Sequence, residues 1–116
     1  MNFYIYVDDI RTDMRWFYRT FNCTFDDKEW TLVICRNYNE AIKALDQLNG
    51  ANVVLDLDHD LGFDPETGED LNGYRICLYV LEHQIPLMGF HLHSMNPVGV
   101  ANMRQVLTKA GYKFLY

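Results

Sequence analysis

Four aspartates and two histidines fall where runs of apolar residues end, and their types suit phosphate chemistry. Asp8 and Asp9 follow "FYIYV", Asp58 and Asp60 follow "NVVLDL", and His91 and His93 close "PLMGFHLH". Aromatic and β-branched residues dominate the first run, and each run reads as a buried strand. Strands laid side by side in one parallel sheet would deliver all of these groups to one edge. Four carboxylates gathered in a crevice repel each other unless a cation neutralises them or some take up protons. A hard divalent ion such as magnesium answers that need with oxygen ligands, while an added imidazole favours manganese, iron or zinc. We therefore read Asp8, Asp9, Asp58 and Asp60 as candidate metal ligands, with magnesium or manganese as the expected cofactor. Taken singly, any of these aspartates could equally cap a helix or sit in a solvated turn.

His91 and His93 lie two apart, so a strand points both to the same face. Such a pair can bind a metal or a phosphate, or move protons at a phosphoester as acid and base. A histidine on a strand could also be a buried core residue bonded to backbone. For Ser94 we expect a hydroxyl donating to phosphate, since no helper base stands at a defined spacing to make it a nucleophile. Asn96 and Pro97 form a helix start, and the free amides behind them attract an anion. Arg11, after the first strand, and Arg104, along the last helix, are the cations best placed in sequence to reach such a phosphate. His59, between Asp58 and Asp60, joins Ser94, Asn96 and Arg11 as a candidate for substrate contact. The stretch "DLDHDLGFDPET" superficially resembles a calcium loop, but Leu61 stands where the turn needs glycine and Thr67 where a glutamate must ligate.

Several elements must position these groups. Strands are expected at residues 3–7, 31–35, 52–57 and 86–93, with "YKFLY" left for a fifth. Apolar residues at helical spacing mark helices around Ala41 to Leu48, Tyr74 to Leu81 and Met103 to Ala110, and residues 12–21 read as a further helix followed by a surface connection. Strands separated by single helices give a parallel α/β sheet with helices on both faces, whose ligand crevice lies beyond the carboxyl ends of the strands.

The bulk numbers fit this picture. The 116 residues suffice for one domain, residues 1–116, and 49% hydrophobic with 22% charged residues is a globular balance. Ten basic against sixteen acidic residues, a net charge of -6, leave no basic groove for duplex nucleic acid. Three cysteines without a CxxC pair indicate reduced thiols and a cytoplasmic protein. Residues 84–103 carry no Asp, Glu, Lys or Arg, but Pro86, His91, His93, Asn96 and Pro97 exclude a membrane span there.

"VDDIR" (residues 7–11), "LDHDLG" (57–62), "NGYR" (72–75) and "HLHSMNPVGVANM" (91–103) occur in an order that resembles the cyclic-phosphate processing receiver domains, relatives of response-regulator receivers. The resemblance implies a flavodoxin-like, doubly wound sheet of about five strands in the order 2-1-3-4-5, the fifth short or absent. It implies that Asp8, Asp9 and Asp58 form the acidic pocket and phosphoacceptor place, with Ser94 at the hydroxyl position. Receivers also keep a lysine at the end of strand five, whereas this chain offers only Lys109 and Lys113 near its end, and His59, His91 and His93 are foreign to a phosphoacceptor. The expected function is a metal-dependent phosphoesterase acting on a cyclic phosphate, either a nucleotide signal or an RNA end, with Asp58, His91 and His93 as catalytic residues. The alternatives are a module that binds a cyclic nucleotide without cleaving it, and a phosphoacceptor receiver.

Overall fold

The computed structural model describes residues 2–12 and 30–115. The helix expected at residues 12–21 and most of the connection after it lie outside the described residues. Four parallel strands, β1 (Asn2–Val7), β2 (Trp30–Cys35), β3 (Asn52–Leu57) and β4 (Gly89–Leu92), form a sheet in the order β2-β1-β3-β4. The strand expected at residues 86–93 is shorter than its apolar run, and Pro86, which has no N–H to give, stays outside it. The fifth strand is reduced to one bridge, Phe90 to Phe114, flanked by backbone bonds from Phe90 N to Lys113 O and from Leu115 N to Phe90 O.

Three helices alternate with these strands: α1 (Tyr38–Gln47), α2 (Gly73–Glu82) and α3 (Pro97–Lys109). Asparagine caps each of them. Asn37, Asn72 and Asn96 accept from the backbone N–H three residues on, satisfying amides that a helix start leaves unpaired. Buried stripes follow, with Ala41, Ala44 and Leu45 on α1, Ile76, Cys77 and Val80 on α2, and Met103 and Leu107 on α3. All three stripes pack with Ile5, Val7, Val53, Leu55, Leu57, Phe90 and Leu92 in one core. The alternate residues, Tyr4, Tyr6 and Val54 with Trp30, form a second cluster on the other face of the sheet.

This topology creates the crevice. The chain order reverses at β1, which lies between β2 and β3, so the residues after Val7 and after Leu57 emerge side by side. Backbone bonds tie the exits down: Asp8 N donates to Cys35 O and Asp58 N to Val7 O, each at 3.0 Å. Glycines then permit two close approaches. A Cβ on Gly73 would lie 2.2 Å from the Asp58 carbonyl oxygen, and one on Gly99 would lie 2.5 Å from the His59 ring. Among the described residues, no helix is long and apolar enough to cross a membrane.

Gly73→Ala must push the Asp58 backbone away or shift the start of α2. We expect a loss of about 1–3 kcal/mol of stability, read from urea unfolding.

Candidate functional site

The centre of the site is a carboxylate that sequence inspection did not single out. Asp56 is an interior residue of β3 and only 1% exposed. Strand register puts it between Tyr6 of β1 and His91 of β4. An ion so placed persists only if its lone pairs are taken. Asp56 accepts the Tyr4 hydroxyl on Oδ2 and faces His93 Nδ1 at 2.5 Å with Oδ1. Burial, and secondarily the Asp56 charge and hydrogen bond, push the Tyr4 hydroxyl far above its ordinary range, so it stays a donor.

His93 carries the chain of contacts outward. Its Nε2 lies 3.0 Å from Asp8 Oδ2, and its ring stacks on Tyr6 with centroids 4.6 Å apart and planes 8° from parallel. Carboxylates at both nitrogens favour the imidazolium form, which can donate to each of them. Burial by itself would lower its pKa, but Asp56, then Asp8 and Asp58, outweigh that and raise it.

Asp8, 1% exposed, is held from several sides. Its Oδ1 accepts the backbone N–H of Ile10 at 2.9 Å and of Arg11 at 2.8 Å, while Oδ2 meets Arg11 Nε at 3.4 Å. Burial opposes ionisation there, yet the two amides and His93 together bring its pKa below the usual carboxylate value. Asp58, 6% exposed, completes the group: Asp8, Asp58 and His93 each offer a ligand atom, all within 4.8 Å of one another. Two carboxylate oxygens and one imidazole nitrogen form a donor set that fits a divalent ion. His93 Nε2 could ligate only after losing its proton, and Asp56 would then hold the remaining Nδ1–H in the arrangement common behind metal-bound histidines.

The other candidate residues lie around this group. Asp9 is exposed and stands outside the trio. Asp60 is also outside it, turned to His59 Nδ1 at 2.8 Å, and that bond, against a small desolvation effect, lowers its pKa. Asn96 Nδ2 approaches His59 Nδ1 at 3.4 Å and Asp60 Oδ1 at 3.5 Å. The shorter contact decides the tautomer: Nδ1–H donates to Asp60, so Asn96 is left with the weaker contact to the carboxylate. Ser94 Oγ accepts Asn96 N at 3.1 Å, and Asn96 Oδ1 accepts Gly99 N at 3.0 Å, which fixes the strand-to-helix corner. His91 lies on the same sheet face as Asp56 and is 8% exposed. Burial, only partly offset by Asp56, pushes its pKa down to about 4, so at neutral pH it can accept a proton but not deliver one.

Cations are distributed differently from the sequence expectation. Arg104 lies over the Phe114 ring, 4.3 Å from its centroid, and is occupied there. Arg36 is the cation that the pattern did not reveal: its Nη1 donates to Asp8 O at 3.2 Å and Arg11 O at 2.8 Å, and its Nη2 to Thr12 Oγ1 at 3.1 Å. Lys113 bonds through its carbonyl to Phe90, near the start of β4, whereas Asp58 follows Leu57, which pairs with Leu92 at its end. The lysine is thus at the wrong end of the sheet for the acidic pocket.

A parallel four-stranded α/β sheet with an acidic pocket at its switch point defines a receiver-like domain. Residues 3–109 match the family model described as the cyclic-phosphate processing receiver domain, and the chain belongs to that family. Comparison with curated proteins and with solved structures gives no match.

The His93 contacts make stability depend on pH in a defined direction. Its raised pKa means that, in chelator, the stabilisation is complete below the ordinary value of 6.5 and is lost as pH rises through the folded-state pKa. Asp56→Asn should lower the His93 pKa, followed by imidazole NMR, and flatten this part of the stability profile. Tyr4→Phe, which strips one partner from the buried carboxylate, should cost about 1–3 kcal/mol in urea unfolding.

Proposed function

We propose that the protein is a metal-dependent phosphoesterase acting on a cyclic phosphate, a nucleotide signal or an RNA terminal cyclic phosphate. The observation that carries this reading is the trio Asp8, Asp58 and His93, whose ligand atoms lie within 4.8 Å of one another at the switch point of the sheet. The family's description, cyclic-phosphate processing, supports the substrate class.

In this reading Asp8, Asp58 and His93 hold a divalent cation, with manganese favoured over magnesium by the imidazole in the set. Such an ion supplies Lewis acidity at the phosphoryl group and a lowered pKa for water. Asp56 is a positioning residue, fixing the His93 tautomer and ring orientation. At the start of α3 Pro97 has no N–H and the Gly99 and Val100 amides are given to Asn96, so Val98 N–H, with the side chains of Ser94 and Asn96 at the corner before it, receives phosphate oxygens. His59 stands at the rim with Asp60 accepting its Nδ1–H, an arrangement that leaves Nε2 to take a proton from the attacking water and return it to the departing oxygen. His91, neutral at this pH, is left the lesser role of a proton acceptor. Asp9 and Asp60 supply negative charge around the pocket in place of direct ligation. The buried thiols of Cys35 and Cys77 fit a reducing, cytoplasmic setting.

Purified protein incubated with manganese and a panel of cyclic phosphates should open the ring, and chelator should stop it. Asp58→Asn and His93→Gln should each abolish turnover, and Asp56→Asn should weaken metal binding by about 10–100-fold, read by calorimetry. Recovery of intact ligand from every member of the panel, with binding retained, would instead identify a binding module. Acid-labile labelling of Asp58 by a small phosphodonor would favour a phosphoacceptor.

A further inference from the structure

A second cavity adjoins the site and has no part in the chemistry just described. It is a groove of about 550 Å³ between α2 and α3, within the range of small-molecule sites, and His59 is one of the residues that line it. His59 follows Asp58 directly and its ring rests against Gly99 in the first turn of α3. The groove therefore opens from the place where phosphate would sit.

Its lining differs from the rest of this acidic chain. Asn102, Gln105 and Lys109 of α3 line it together with Asn72, the cap of α2, and Tyr74 in the first turn of α2, and no carboxylate lines it. By contrast, the cavity beside α1 is lined by Glu40, Asp64 and Glu66, which would repel an anionic ligand. Asn72 is committed to capping α2 through Arg75 N. The side-chain amides of Asn102 and Gln105 make no hydrogen bond among the described residues. Each amide offers both a donor and an acceptor, the complement of a nucleobase edge, and the half-buried Tyr74 ring offers a surface for its face. Helix geometry puts Asn102 and Gln105 about 4.5 and 9 Å along the axis from Gly99. One nucleoside bridges that distance.

We propose that this groove is a nucleobase subsite, so that the cyclic phosphate substrate is a nucleoside cyclic phosphate with its base between α2 and α3. The proposal rests on the phosphoesterase reading for the placement of the phosphate. Isotope-labelled full chain titrated with the 2′,3′- and 3′,5′-cyclic monophosphates of adenosine, guanosine, cytidine and uridine tests it by NMR. At least one should shift the side-chain amide signals of Asn102 and Gln105, and a base-free ribose cyclic phosphate should not. Asn102→Ala and Gln105→Ala should each lower the preference for that nucleotide over the base-free compound about tenfold, the effect of one lost hydrogen bond. Both are exposed helix positions where alanine favours folding. Unmoved amide signals with all of these nucleotides, or an unchanged preference in both variants, would overturn the subsite. Ring opening of the base-free compound with manganese reports separately on the chemistry: its failure alongside shifted amides would remove the phosphoesterase reading and leave the base subsite standing.

Discussion

A carboxylate inside a parallel sheet has no water to solvate it, so the neighbouring strands must supply its partners. Asp56 meets this constraint with a tyrosine from β1 and a histidine from the end of β4. Those two bonds couple three strands on one face of the sheet. They also decide where His93 points, and through its second nitrogen they decide how it meets Asp8. The pocket at the sheet edge is thus anchored from within the sheet, and the loop after β1 adds the Ile10 and Arg11 amides that hold Asp8. Removing either partner would leave a charge stranded in a medium that penalises it heavily.

The rim of the site is held by different means. Arg36, at the end of β2, grips the backbone that follows Asp8, while Gly73 and Gly99 let α2 and α3 come close enough to press on Asp58 and His59. Asn96 caps α3 and touches Asp60 at the same time. One side chain thereby links helix initiation to the polar rim. Such double use explains how a chain of 116 residues can hold a buried charge network and still keep a continuous apolar core on the other face of its sheet.

Much of this was legible before folding was considered. Four strands and three helices follow from apolar runs and period, and the polar residues that end the strands put Asp8, Asp58 and His93 in a larger set, with Asp9, Asp60 and His91, expected at one edge of the sheet. The "NPVG" corner was equally plain, because asparagine before proline is chemically suited to open a helix. Asp56 escaped notice because a single acid within "NVVLDL" looks like part of the polar strand end that follows it. Its even spacing from Asp58 was the available signal. Arg36 gave none, since a cation between a strand and a helix has the look of any surface residue.

Sequence by itself determined which elements form and which residue types reach the sheet edge, because side-chain period and capping chemistry are local. It also carried the family, through motifs that span most of the chain. Tertiary structure alone decided the pairings: His93 with Asp56 and Asp8, Asp60 with His59 in place of the central group, Arg104 over Phe114, and Lys113 away from the pocket. Register is the physical reason. Setting Asp56 opposite His91 brings distant residues onto one face, and only the packed sheet, which must satisfy every buried charge, selects that alignment.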